Sequence, residues 1–136
     1  MSDSELPNVN SATIERMQLA AKNPNAGPVF MLNLNKYSSS AGFPDGALYR
    51  EYMQSISRLV SEVEGKILWR TTVNGQVVGS QDIDEVLGVW YPSNAAFLNI
   101  RNSPSSARNM ELRERAVKSA NLHWCDPYTV MRNPET

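Results

Sequence analysis

Residues 28–35 read Pro-Val-Phe-Met-Leu-Asn-Leu-Asn, and their alternation predicts a sheet strand. Side chains on a strand point to opposite faces in turn, so Phe30, Leu32 and Leu34 share one side. Val29, Met31, Asn33 and Asn35 share the other. The wholly apolar side is expected to meet helices, and the side that turns polar is expected to line a pocket or an interface. The spacing predicts a leading helix over 11–22, started by Asn10 or Ser11 and carrying Ile14, Met17 and Ala21 on one face. Residues 23–28 stop it, and the Ser- and Gly-rich stretch 38–46 reads as a mobile loop. A second, longer helix follows, with Asp45 as cap and Leu48, Tyr49, Tyr52, Ile56, Leu59, Val60 and Val63 at helical spacing. Gly65 is expected to close it in a left-handed conformation.

A second strand is expected over 66–73, then a two-residue Asn74-Gly75 turn with 76–79 returning as a hairpin. A polar link over 80–84 leads to a third strand over 85–91. Pro92-Ser93 should cap a short helix reaching about Arg101, and Ser103-Pro104 should restart a helix reaching Ala120. A fourth strand is placed over 124–131. Residues 1–10 and 133–136 read as a disordered lead and a tail around one domain at 11–132. The order after the leading helix is β-α-β-β-α-β, the split βαβ or ferredoxin-like arrangement of the α+β class. Its antiparallel sheet has helices on one face only. The third strand, Val86-Leu87-Gly88-Val89-Trp90-Tyr91, is apolar on both faces, so a homodimer that packs sheet on sheet is expected.

A chain of 136 residues suffices for one core without disulfides, and Cys125 has no second cysteine to pair with. That excludes thiolate metal clusters. A net charge of −1 without blocks of like charge argues against a nucleic-acid partner. No apolar run is long enough for a membrane span, and no apolar leader is visible at the start, so a cytoplasmic protein is expected.

Together, these pieces resemble the dimeric α+β-barrel superfamily, and within it the branch called domain of unknown function 1330. The carriers are Pro28 through Leu34, the Tyr49/Tyr52 pair, Gly65-Lys66-Ile67-Leu68-Trp69-Arg70, Tyr91-Pro92-Ser93 with Ala95-Ala96, Asn102-Ser103-Pro104 and Arg113. The resemblance implies ferredoxin-like subunits paired into a barrel with an internal pocket. Two positions depart from it. Val78 precedes Gly79 where many relatives carry glutamate, and Leu112 precedes Arg113 where many carry histidine. The superfamily holds cofactor-free monooxygenases, polyketide cyclases, lactone isomerases, aldoxime-type lyases and haem enzymes, so the fold cannot choose a reaction.

If the chain is an enzyme, the resemblance implies cofactor-independent isomerase, cyclase or lyase chemistry on an activated carbonyl compound, aromatic or polyketide-like. Cofactor-free oxygenation and a non-catalytic binding or assembly module are the rivals. Asn33 would hold a carbonyl or enolate oxygen through its amide, or else satisfy a local backbone group. Arg70 would clamp a carboxylate or phenolate from the barrel side or the sheet rim, or form a rim ion pair with Asp84 or Glu85. His123, placed between the last helix and the last strand, is the natural proton carrier but has no orienting carboxylate near it in sequence. Tyr52 would bring a hydroxyl to the pocket mouth, although its spacing and that of Tyr49 also suit the core. Met31, Asn35, Trp69 and Trp90 would line the pocket and bind substrate. No cofactor and no metal is expected, since no ligand spacing is visible. Cys125 is expected to be structural. Asp82, Asp84 and Glu85 read as a solvated turn.

Overall fold

The computed structural model describes residues 8–131; the outer parts of the expected lead and tail lie outside them. The elements are α1 (Ser11–Ala21), β1 (Val29–Tyr37), α2 (Ala47–Glu62), β2 (Lys66–Thr72), β3 (Glu85–Tyr91), α3 (Asn94–Leu98), α4 (Ser106–Ala116) and β4 (Val117–Cys125). The strands form one antiparallel sheet in the order β2-β3-β1-β4. It is an α+β architecture with its helices on one side of the sheet.

The two faces of β1 are assigned opposite to expectation. Val29, Met31 and Tyr37 join Leu87, Val89 and Tyr91 of β3 in the core under Met17, Tyr49, Tyr52, Val60 and Leu112 of the helices. Phe30 instead meets Trp69 and Tyr128 on the far side, and Leu32 and Leu34 alternate onto that side, half-buried. Alternation fixes which residues travel together, but not which set the helices cover. Here tyrosines and a methionine, able to pack while satisfying a hydroxyl, fill the helix side.

The middle of the open face carries Phe30, Leu32, Leu34, Trp69 and Trp90, with a glycine at its centre and the polar Asn121 and His123 toward β4. A Cβ on Gly88 would come within 2.5 Å of the Trp69 ring and 2.7 Å of Phe30. Gly88→Val should therefore expel the Trp69 ring and cost about 1–3 kcal/mol of stability, the usual range for overpacking. Melting and tryptophan emission check this, and an unchanged melt would mean that the ring yields freely.

Local chemistry relocates several other features. The loop at 38–46 is packed, not loose. Ala41 is fully buried, and Phe43 stacks on Tyr37 at a ring separation of 5.1 Å and meets Tyr49 edge to face at 4.9 Å. Gly46, not Asp45, is the N-cap of α2, because a Cβ there would overlap the Ala41 carbonyl oxygen and the Gly42 backbone. At the other end Glu64 takes the left-handed conformation, with φ 65°. Gly65 is small for a packing reason, as a Cβ would lie 2.8 Å from Val60 and 2.9 Å from Tyr91.

The Asn74-Gly75 hairpin is absent. Residues 73–84 form a loop without strand pairing, and β2 pairs directly with β3, whose apolar sequence makes a better partner than Gln-Val-Val-Gly. Asp84 secures the loop: its carboxylate accepts from the Tyr37 amide at 2.9 Å and meets Lys36 at 3.3 Å. Ser93 does cap α3, accepting from the Ala96 amide at 3.0 Å. The last helix ends at Ala116, short of Ala120, because Ser38 captures its final carbonyls. The Ser38 amide donates to Ala116 O at 2.8 Å and its hydroxyl to Arg115 O at 2.7 Å, satisfying groups that a longer helix would otherwise bond. β4 thus begins seven residues before its expected start, and residues 126–131 are irregular.

Candidate functional site

A buried carboxylate on the helix side of the sheet organises the site. Glu85 opens β3 on the face that alternation gives to Leu87 and Val89, and only 3% of it is exposed. Its Oε1 accepts the Tyr37 hydroxyl at 2.6 Å and its Oε2 the Tyr49 hydroxyl at 2.7 Å. Asn35 donates its amide to the Tyr37 oxygen at 3.2 Å. Arg70, paired across the sheet with Leu87, donates from Nη1 to the Tyr49 oxygen at 2.6 Å. The same nitrogen stands 3.7 Å from Glu85 Oε2, a charge contact longer than a hydrogen bond. Burial, and then the carboxylate itself, push the Tyr37 and Tyr49 phenols well above their usual range. Both therefore remain protonated donors.

This cluster forms one wall of an open groove of about 780 Å³ between α2 and the β2–β3 side of the sheet. Arg50 and Met53 of α2, Phe43 of the packed loop, and Tyr49, Arg70 and Glu85 line it. The groove joins the apolar Phe43, Pro44 and Met53 to one acid, two guanidiniums and the polar side chains of Gln54, Ser57, Thr71 and Thr72.

Only part of the expected constellation meets here. Arg70 stands at the rim on the helix side, where its anticipated partner Glu85 is found. Asn35 serves the cluster through Tyr37 and is itself buried. Met31 belongs to the core. Tyr52 is also buried, 6.4 Å from the Tyr37 ring; its hydroxyl does not reach the groove mouth, and burial raises its pKa. Asn33 lies outside the groove lining, with its Oδ1 buried and unpartnered. His123 falls within β4, opposite Leu32, and so shares the open face, across the sheet from Glu85. Trp69 and Trp90 also lie on that open face and form no wall of this groove. Cys125 pairs with Phe30 in the sheet, and its thiol faces the His123 carbonyl at 3.5 Å.

Sequence reading missed Glu85 because Asp82, Asp84 and Glu85 look like one acidic turn. Asp82 does remain exposed, at the Lys36 ammonium, but Glu85 is the first residue of an apolar strand. Its side chain is carried inward by the same alternation that buries Leu87. Tyr37, two residues past Asn35, was the legible companion signal.

The architecture is shared with solved structures. An RPA0582 protein of unknown function from Rhodopseudomonas palustris is 23% identical, with a TM-score of 0.72 over 90% of this chain and 96% of its own. At3g17210 from Arabidopsis thaliana is 12% identical, with a TM-score of 0.59 over 76% and 99%. A DABB-family protein with a ferredoxin-like fold from Mesorhizobium loti is 10% identical, with a TM-score of 0.55 over 76% and 99%. These likenesses establish a ferredoxin-like α+β fold for the chain. No family model matches the sequence, and none of the curated proteins does. Among the described residues, no helix is long and apolar enough to cross a membrane, and no group of three or more His, Cys, Asp or Glu could hold a metal ion.

Proposed function

We propose that the chain is a small-molecule-binding protein of the dimeric α+β-barrel type, in the branch that its sequence resembles. In this reading it performs cofactor-independent proton transfer on an activated carbonyl compound, the chemistry shared by isomerases, cyclases and lyases. The observation that carries the proposal is the Glu85 carboxylate, buried at the groove wall with two neutral phenols and a guanidinium around it. A carboxylate in such a place serves as proton acceptor when a carbon acid enters. As Glu85 takes the proton, its hold on the Tyr49 hydroxyl weakens. That O–H then donates to the carbonyl oxygen, where charge collects. The proton returns from Glu85 to carbon or oxygen, so the step balances without a co-reactant. Asn33, Tyr52 and His123 take no part in it.

A second reading is favoured by the same bonds. Both carboxylate oxygens already accept a hydroxyl, as in a network that only fixes β1, β3 and α2 around a binding groove. Deuterium exchange at carbon separates the two. Phenylpyruvate in D₂O, followed by proton NMR, should lose its C3 protons faster with the protein than without. Glu85→Gln should slow that catalysed exchange on the order of a hundredfold or more, in line with the loss of a positioned base. No catalysed exchange, or exchange unchanged by Glu85→Gln, would leave the binding module as the better reading.

A further inference from the structure

The donors at the groove mouth specify the charge of the ligand. We infer that the groove selects small organic carboxylates, with the ligand's carboxylate on Arg70 and its carbon body toward Phe43 and Met53. This rests on the reading above that the groove is a ligand site, and adds a substrate class to it.

Arg70 carries five N–H donors in a planar fork, and one bond, from Nη1 to Tyr49, is made. Its Nε and Nη2 hydrogens have no partner among the described residues. Glu85 does not need the rest of the guanidinium, since each of its oxygens already holds a phenol and Arg70 stands 3.7 Å away. The Arg70 side chain is half exposed and lines the groove, so a spare pair of parallel donors is left for a ligand there. That pair matches the two oxygens of a carboxylate. Arg50 lines the same groove from α2, so two guanidiniums face the ligand against the one carboxylate of Glu85. A neutral ligand would leave this excess unanswered.

Phenylpyruvate and its methyl ester share a carbon skeleton and differ in charge, so together they isolate this contact. Titration calorimetry on the full chain should show the acid binding at least tenfold more tightly than the ester. Arg70→Met should abolish that difference, and Arg70→Lys, which keeps the charge but loses the fork, should restore only part of it. A circular-dichroism melt of each variant establishes that it is folded. Equal affinities, a preference for the ester, a preference that survives Arg70→Met, or no binding of either compound would overturn the assignment. Glu85-dependent deuterium exchange on the ester, with no advantage for the acid, would defeat the carboxylate class yet leave proton transfer standing.

Discussion

Replacing Glu85 by alanine is expected to destabilise the protein more than any other single polar substitution in the groove. The change strands the Tyr37 and Tyr49 hydroxyls, which donate at 2.6 and 2.7 Å, and removes the charge facing Arg70. Leaving a buried donor unsatisfied costs about 1–3 kcal/mol, so two of them and a small cavity should lower stability by roughly 3–5 kcal/mol. For a chain of this size the melting midpoint should fall by on the order of 10 °C. Glu85→Gln keeps the shape and one acceptor oxygen, and should lose less than half as much. A calorimetric melt of both variants is the check. Equal losses would mean that the charge and second acceptor oxygen, which Gln lacks as Ala does, carry the whole effect, and that shape and one remaining acceptor contribute nothing.

The second large effect concerns the open face. Leu32, Leu34, Trp69 and Trp90 lie on the side of the sheet that no helix of the described residues covers, Trp69 is 42% exposed, and Phe30 is buried among them against Trp69 and Tyr128. Contiguous apolar surface of this kind marks an interaction site. In the proposed dimer a second copy presents the same patch to it, as two-fold symmetry requires. Light scattering at low micromolar concentration should give twice the chain mass. Leu32→Glu places a charge opposite Gly88 and His123, at the middle of the patch, and should shift the population to monomer while leaving the helix-side core intact. A wild-type monomer at that concentration would remove the barrel from the proposal.

Much of the fold was legible because its signals are local. α1, α2 and β3 follow from apolar spacing, and the Ser93 cap from one hydroxyl. The larger errors share a cause: contacts distant in sequence decided them. Ser38 stops α4 from 77 residues away along the chain, and this moves the start of β4 and carries His123 onto the open face. The backbone around Ala41 and Gly42, not an acidic cap, sets the entry to α2. The faces of β1 could not be told apart from one strand alone, since Phe30 and Met31 are both apolar and only the partners of the sheet choose between them.

The candidate site was legible only in part, and not in its centre. Arg70, Asn35 and Tyr49 were all singled out, and the Arg70–Glu85 pair was among the alternatives. Asn33 drew attention for its polarity, yet the groove forms around Glu85. Acidity at the end of a polar loop reads as surface until the strand that follows is seen to bury its first residue. Tyr37 confirms that position from the neighbouring strand, across which Asn35 pairs with Glu85.

The location of the ligand tests the central claim most directly. A crystal structure of the protein soaked with phenylpyruvate should show the molecule between α2 and β2. Its carboxylate should lie on Arg70, its keto oxygen near the Tyr49 hydroxyl, and C3 within reach of Glu85 Oε2. Density for the ligand beside Asn33, or on the open face against Trp69 and Trp90, with nothing bound at Glu85, would contradict it.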